Sequence, residues 1–131
     1  MYKIELTKSV NGLPFGSSRQ KVHQTFGKPI KSFRKSPLSK SYTDDYGAFH
    51  VYYTPDNQME AVEFFSGAEL ELFGKPLPWD YGMIKTWLLQ LDPKAEADAA
   101  GITAPSYGVS MYGPDGKAET LLFATADYFA L

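Results

Sequence analysis

The chain has 131 residues, no cysteine and a formal net charge of −2. This length is sufficient for one domain with a core of its own, and we expect residues 1–131 to form a single domain. The absence of cysteine excludes a disulfide framework and a thiolate metal site, and is typical of a reducing compartment. The charged opening MYKIELTKSV predicts neither a secretory signal nor a membrane span, so we expect a cytoplasmic protein.

The charges are divided unevenly along the chain. Residues 1–43 carry nine Lys or Arg and one acidic residue, whereas residues 44–131 carry four Lys and fourteen acidic residues. The segment 19–40 is basic and contains no acid, a pattern typical of an anion-binding surface. The alternative is that this segment packs beside the acidic remainder and is neutralised within the fold.

The first predicted elements are a strand, a turn and a helix. The alternation in MYKIEL predicts the strand, and Asn11-Gly12 predicts the turn. A helix is expected over 17–26, with Ser17 as its N-cap, Gln20 completing a capping box, and Gly27 ending it.

Residues 28–47 are polar and interrupted by proline, and they predict either a pair of edge strands or a long loop. AFHVYY and MEAVEFF predict two strands joined by a tight turn at TPDNQ, in which Asn57 takes a left-handed backbone. ELELF predicts a further strand.

A second helix is expected over 80–91, with the amphipathic stripe Ile84, Trp87, Leu88 and Leu91. KAEADAAG then predicts a turn of helix or a loop, and YGVSMY and AETLLFA predict two more strands.

The hairpin of residues 52–65 recurs near the end of the chain. YYTPDNQMEAVEFF and MYGPDGKAETLLFA align with Pro55 on Pro114 and Phe64 on Phe123, at a constant offset of 59 positions. The lead-ins to the two helices, LPFG and LPWD, also match loosely. The sequence therefore predicts an α+β fold of tandem duplicated α-β-β-β units, about 1–73 and 74–131. They are expected to form one antiparallel sheet with two helices on one face.

Strand alternation assigns the side chains of this sheet to two faces. The face expected to contact the helices carries Phe49, Val51, Val62, Phe64, Val109, Met111, Leu121 and Phe123. The opposite face carries His50, Tyr52, Glu63, Phe65, Ser110, Tyr112, Thr120 and Leu122. This mixture is typical of a protein-binding surface, and equally of a solvated face of an antiparallel sheet.

The stretch NGLPFGSSRQKVHQTFGKP contains a Gly-x-x-x-Gly lead-in, a Ser-capped helix and a Phe-Gly-x-Pro exit. It resembles the opening of modules found in the outer-membrane assembly lipoprotein E family and in the β-lactamase inhibitor proteins. The resemblance implies tandem helix-plus-sheet units, which in the inhibitors bind an enzyme across the concave sheet face. The chain also resembles small cytoplasmic bacterial immunity proteins, each of which neutralises a cognate toxin.

Motifs for catalysis and metal binding are missing from the sequence. His23 and His50 lie 27 positions apart without an HExxH pattern, and there is no GxSxG elbow, P-loop or GxGxxG after a strand. Asp44 and Asp45 are adjacent on a predicted strand, so their carboxylates point to opposite faces and cannot share an acid–base site. We therefore expect no enzyme activity, no metal and no cofactor.

The leading hypothesis is a non-enzymatic immunity or inhibitor protein, monomeric or weakly dimeric, that blocks the active site of a toxin or other enzyme. The expected partner-binding residues are Tyr52, Glu63, Tyr112, Asp44, Asp45, Glu69 and Glu71. The alternative is a nucleic-acid or anion-binding module that uses Arg19, Lys21, Lys28, Lys31, Arg34 and Lys35. A third hypothesis is a self-associating structural domain, and no hypothesis includes a membrane.

Overall fold

The structure is a computed structural model that describes residues 1–34 and 36–130; Lys35, one of the expected basic residues, lies outside them. Two α-helices and thirteen β-strands are described, which confirms the α+β class. The helices are α1 (Arg19–Phe26) and α2 (Tyr81–Leu91). The strands are β1 (Tyr2–Glu5), β2 (Ser9–Val10), β3 (Leu13–Pro14), β4 (Lys31–Arg34), β5 (Tyr42–Asp45), β6 (Phe49–Tyr53), β7 (Met59–Phe65), β8 (Leu70–Leu72), β9 (Lys75–Pro76), β10 (Glu96–Asp98), β11 (Gly101–Ala104), β12 (Val109–Tyr112) and β13 (Thr120–Ala124).

Eight strands form one antiparallel sheet in the order β10-β11-β12-β13-β7-β6-β5-β4. At its centre β7 pairs with β13, and Val62 lies opposite Phe123. Of the six strands between α1 and α2, the first four, β4 to β7, therefore form one half of the sheet, and the four strands that follow α2 form the other. The continuous antiparallel sheet is confirmed, with four strands in each half rather than three. The duplication of the two units stays a prediction.

Both ends of this sheet are short edge pairs. Residues 28–47 contain the pair β4 and β5, which confirms the first of the two alternatives for that segment. The prediction of a helical turn or loop for KAEADAAG is wrong, because Glu96–Asp98 pairs with Gly101–Thr103. Asp98 Oδ1 accepts hydrogen bonds from the backbone N–H groups of Ala100 and Gly101, at 2.8 and 3.1 Å. This Asp turn and the strand pairing outweigh the helix propensity of the alanines.

A second sheet of five strands, in the order β3-β2-β1-β8-β9, was not expected from the sequence. Its central pair, β1 and β8, is parallel, with Ile4 opposite Leu72. Val10 and Leu70 lie beside them and are buried with them. Local alternation predicts the individual strands, but a parallel pairing between residues almost 70 positions apart leaves no local pattern.

The helices begin at capping side chains. Ser18, not the expected Ser17, caps α1, and its Oγ accepts a hydrogen bond from Lys21 N at 3.2 Å. Ser17 Oγ instead donates to the carbonyl of Pro14 at 2.6 Å, which excludes the predicted capping box with Gln20. Asp80 caps α2 by accepting from Met83 N at 2.8 Å.

One continuous core lies between the helices and the eight-stranded sheet. Val22 of α1 and Ile84 and Leu88 of α2 are buried in it, and the Phe26 ring contacts the Phe49 ring at 5.2 Å between centroids. Both helices therefore pack on the same face, as predicted. The expected core-facing set is buried throughout: Phe49, Val51, Val62, Phe64, Val109, Met111, Leu121 and Phe123. Trp87, also expected in the core, is partly buried.

A β-hairpin with a two-residue loop precedes each helix, and both loop residues have positive φ. The values are 51° and 77° for Asn11-Gly12, and 51° and 76° for Phe73-Gly74. This is the type I′ turn of two-residue hairpins, which favours Asn or Gly at its first position. Phe73 is bulky and 73% exposed, so its ring gains little packing in return for the left-handed backbone.

We expect Phe73→Asn to raise the free energy of unfolding by about 1 kcal/mol, because Asn tolerates the left-handed backbone that Phe73 adopts. Urea denaturation measures the change. Phe73→Ala is the control: it removes the exposed ring without relieving the backbone, and its stability should stay close to that of the wild type. A loss of stability in Phe73→Asn would mean that packing of the ring outweighs the strain.

Candidate functional site

The side of the eight-stranded sheet that faces away from α1 and α2 is called the outer face. Its central residues are those that the alternation predicts: His50, Tyr52, Glu63, Phe65, Ser110, Tyr112, Thr120 and Leu122. They alternate along their strands with the buried core residues, and the register pairs Glu63 with Leu122 and Tyr112 with Thr120. Tyr52, Glu63 and Tyr112 therefore lie on one side of the sheet.

Glu63 links three strands across the outer face. Its Oε1 accepts a hydrogen bond from the Tyr52 hydroxyl on β6, and its Oε2 accepts one from Thr120 Oγ1 on β13 at 2.6 Å. Burial and the hydrogen bond to Glu63 raise the pKa of Tyr52. The structure thus brings Tyr52 and Glu63 together, with both oxygens of Glu63 engaged inside the chain.

The C-terminal segment covers one part of the outer face. Thr125 N donates to the carbonyl of Glu60 at 3.1 Å, and the chain then turns back on itself at Tyr128. Burial raises the pKa of Tyr128, and the nearby charges of Glu60 and Glu63 raise it further. Tyr52, an expected partner-binding residue, is therefore partly buried beside this segment.

Tyr112 is the most open aromatic residue of the outer face, with 49% of its surface exposed. It borders a shallow depression of about 500 Å³ lined by Phe65, Ser66, Tyr112, Glu119 and Thr120. Glu119 was not predicted as a site residue, because alternation along the predicted strand AETLLFA assigns it to the side of Leu121 and Phe123; in the structure it precedes β13. Its proximity follows from the hairpin, in which Glu119 N donates to Tyr112 O at 2.9 Å.

Aromatic rings continue from this depression toward β4. The His50 ring makes edge contacts with Phe65 at 4.9 Å and with Phe33 at 6.0 Å between centroids, and Phe33 is 37% exposed. Asp45 Oδ1 lies 3.5 Å from His50 Nε2 and accepts from Gly47 N at 2.7 Å. Asp45 is therefore on the outer face, as its predicted role requires.

Asp44 is a correction to the predicted partner-binding set. It lies opposite Val51 on the core-facing side, and its carboxylate is completely buried. A side chain in that position cannot contact a partner. The prediction that Asp44 and Asp45 point to opposite faces is confirmed, and the burial of Asp44 follows from it.

Four side chains donate to the Asp44 carboxylate, and together with it they are called the Asp44 cluster. Oδ1 accepts from Arg19 Nη2 at 2.9 Å and from Ser32 Oγ at 2.6 Å. Oδ2 accepts from Arg19 Nε at 3.2 Å, His23 Nε2 at 2.7 Å and the Tyr53 hydroxyl at 2.7 Å. Burial alone would raise the pKa of Asp44, but these hydrogen bonds hold it well below its ordinary value of 3.8.

The Asp44 cluster changes the interpretation of the basic segment. Arg19 pairs with a buried acid, so this cation is neutralised within the fold, as the alternative for segment 19–40 expected. The other described cations of the proposed anion site, Lys21, Lys28, Lys31 and Arg34, are exposed. A sequence signal for the cluster exists in Arg19 and His23, which lie four positions apart and hence on one side of α1.

Glu69 and Glu71 do not join the other predicted site residues. Glu71 lies on β8, opposite Lys3, in the five-stranded sheet, and Glu69 directly precedes that strand. Tyr52 and Tyr112 lie on the eight-stranded sheet. The predicted set is therefore distributed over two sheets, and one member is buried.

Within residues 1–34 and 36–130, no group of three or more His, Asp or Glu is arranged to hold a metal ion. No helix in the described ranges is long and apolar enough to cross a membrane. Comparison with family models, curated proteins and solved structures gave no match. The resemblances to the lipoprotein E family, to the β-lactamase inhibitor proteins and to immunity proteins stay predictions.

We expect Asp44→Asn to lower the free energy of unfolding by about 3 kcal/mol, because it leaves the partly buried Arg19 without a counter-charge. Urea denaturation at neutral pH measures the loss. Asp45→Asn is the matched control on the neighbouring position, and its cost should stay below about 1 kcal/mol because that ion pair is long and partly exposed. Equal losses in the two variants would contradict the central role of Asp44.

The contribution of Asp44 should also depend on pH. Because folding lowers its pKa, the stabilisation is complete above the ordinary value of 3.8 and is lost as the pH falls below it. The difference in unfolding free energy between the wild type and Asp44→Asn should therefore shrink between about pH 5 and about pH 2. A difference that stays constant over this range would show that the carboxylate charge is not what stabilises the fold.

Proposed function

We propose that the chain is a non-enzymatic protein-binding protein, an immunity-type inhibitor of the bacterial cytoplasm that neutralises a cognate toxin by covering its active site. The binding surface in this proposal is the outer face, around Tyr112 and the depression beside it. Binding rather than catalysis is proposed because the most polar cluster of the described residues, around Asp44, is buried and its carboxylate accepts five hydrogen bonds.

The observation that carries the proposal is the exposure of aromatic rings on the outer face. Tyr112 and Phe33 are 49% and 37% exposed, and Phe65 and His50 lie between them. Exposed aromatic side chains on a rigid surface are the typical anchors of protein interfaces, because they bury a large area at a small entropic cost. The sheet fixes these rings in place before a partner binds, which lowers the cost of association.

The charge of the chain favours a basic partner. Residues 44–131 carry fourteen acidic residues against four Lys, and among the described acids only Asp44 and Asp92 are buried. Many toxins act on nucleic acid and are basic, so an acidic inhibitor is steered toward such a toxin and covers the groove that its substrate would enter.

A second candidate function is nucleic-acid or anion binding by the basic segment. Lys21, Lys28, Lys31 and Arg34 are exposed, and the exposed Phe33 ring lies 5.8 Å from Lys31 Nζ. Proteins that bind single-stranded nucleic acid combine a positively charged surface with aromatic rings, and this edge has both. Because Arg19 is paired with Asp44, the basic surface has one available cation fewer. We therefore retain nucleic-acid or anion binding only as the alternative.

We expect Tyr112→Ala to raise the dissociation rate of the complex with a cognate toxin, to be sought first in the neighbouring reading frame, by about thirtyfold, the equivalent of about 2 kcal/mol for an aromatic anchor. Surface plasmon resonance measures the rate, and thermal unfolding of the free variant should be nearly unchanged. Met83→Ala is the matched control, because Met83 is 59% exposed on α2, away from the outer face.

Two results would contradict this proposal. One is a complex whose dissociation rate responds to Met83→Ala and not to Tyr112→Ala. The other is the absence of any complex, together with binding of single-stranded RNA that weakens steeply with salt, which would favour the second candidate.

A further inference from the structure

The depression beside Tyr112 combines aromatic and acidic groups. Phe65 on β7, Tyr112 on β12 and Glu119, which directly precedes β13, are among the residues that line it. The backbone of Glu119 is held on both sides, because its N–H donates to Tyr112 O and its carbonyl accepts from Ser66 N, both at 2.9 Å. The backbone of this acidic lining residue is therefore fixed between β12 and the end of β7.

Among the described residues, Glu119 has no oppositely charged partner within ion-pair distance. Glu63 accepts hydrogen bonds from Tyr52 and Thr120, and Asp45 contacts His50. The ion pairs of the described residues involve only Asp44 and Asp45 as acids, so neither Lys117, two positions away, nor any other described cation pairs with Glu119.

We propose that this depression binds an arginine side chain of the protein partner. A guanidinium group is planar, stacks on aromatic faces and donates two parallel hydrogen bonds to a carboxylate, so it matches both ring surface and acid. The inference rests on the proposed function, and it names the chemistry by which the partner is recognised.

Other occupants fit the depression less well. An apolar side chain would cover the Glu119 carboxylate without replacing its hydrogen bonds to water, which is unfavourable. A lysine ammonium supplies the charge, but it is compact and strongly hydrated and cannot stack on the rings as a guanidinium does. The combination of Phe65, Tyr112 and Glu119 therefore selects arginine.

The test uses the whole chain, labelled with ¹⁵N, and N-acetyl-arginine N-methylamide as the probe. The N-acetyl-citrulline counterpart has the same shape without the charge and serves as the ligand control. We expect the amide signals of Tyr112, Glu119 and Thr120 to shift along a saturating curve with the arginine probe and to respond at least about threefold more weakly to citrulline. Equal responses to the two probes, or arginine shifts confined to another surface, would overturn the proposal.

A pair of variants locates the site on the carboxylate. Glu119→Gln should weaken binding of the arginine probe by at least about threefold, as expected for loss of an exposed ion pair. Asp115→Asn, at the exposed tip of the same hairpin, is the matched control and should bind the probe as the wild type does. Equal weakening in both variants would mean that general electrostatic attraction, and not the depression, holds the probe.

Failure of this inference and failure of the proposed function are distinguishable. If the arginine probe binds beside Tyr112 but the chain forms no complex with a toxin, the proposed function fails and the site remains. If the chain neutralises its toxin and Glu119→Gln leaves the dissociation rate unchanged, the arginine site fails and the proposed function remains.

Discussion

The attachment of α1 to the sheet depends on the buried carboxylate of Asp44. The helix has eight residues, and Val22 is its one fully buried side chain. A helix of this length is marginal without tertiary contacts, and its apolar contacts come from Val22 and from the partly buried Phe26 ring against Phe49. Arg19 and His23 add a polar attachment by donating to Asp44, while Ser32 and Tyr53 connect the same carboxylate to β4 and β6. One acid thus joins α1 to three neighbouring strands.

The two faces of the eight-stranded sheet therefore have different roles. Asp44 points inward, is completely buried and stabilises the fold, whereas Asp45 points outward beside His50. The same separation appears on β7, where Val62 and Phe64 are buried while Glu63 and Phe65 lie on the outer face. Because the helices cover one face, a broad binding surface on the eight-stranded sheet can form only on the other, where Tyr112 and Phe33 are exposed.

Much of the central sheet was predictable because its strands are antiparallel with one covered face. The residues of β6, β7, β12 and β13 that alternation assigned to the core-facing side are all buried. In α2, Ile84 and Leu88 of the predicted amphipathic stripe are buried as well. The turn at Asn57 also has the expected left-handed backbone, with φ of 59°. These features depend on residues close in sequence.

What the sequence did not predict depends on contacts between distant residues. The parallel pairing of β1 with β8 has no local pattern, and β10 becomes a strand only because β11 lies beside it. The same limit applies to the site. From the sequence, Asp44 was predicted to be a surface acid, and only the position of α1 brings Arg19 and His23 into contact with it. Likewise, Glu119 lies next to Tyr112 because of the hairpin geometry. Sequence alternation predicts which way a side chain points, but not which side chains from other elements meet it.

Hydroxyl-radical footprinting of the chain, alone and in complex with the protein partner that the proposed function requires, tests the central claim that the outer face is the binding surface. Three exposed side chains on different surfaces report at once: Tyr112 on the outer face, Met83 on α2 and Phe73 at the tip of the β8–β9 hairpin. The account predicts that oxidation of Tyr112 falls in the complex while oxidation of Met83 and Phe73 is unchanged. Protection of Met83 or Phe73, with Tyr112 oxidised as in the free chain, would contradict it.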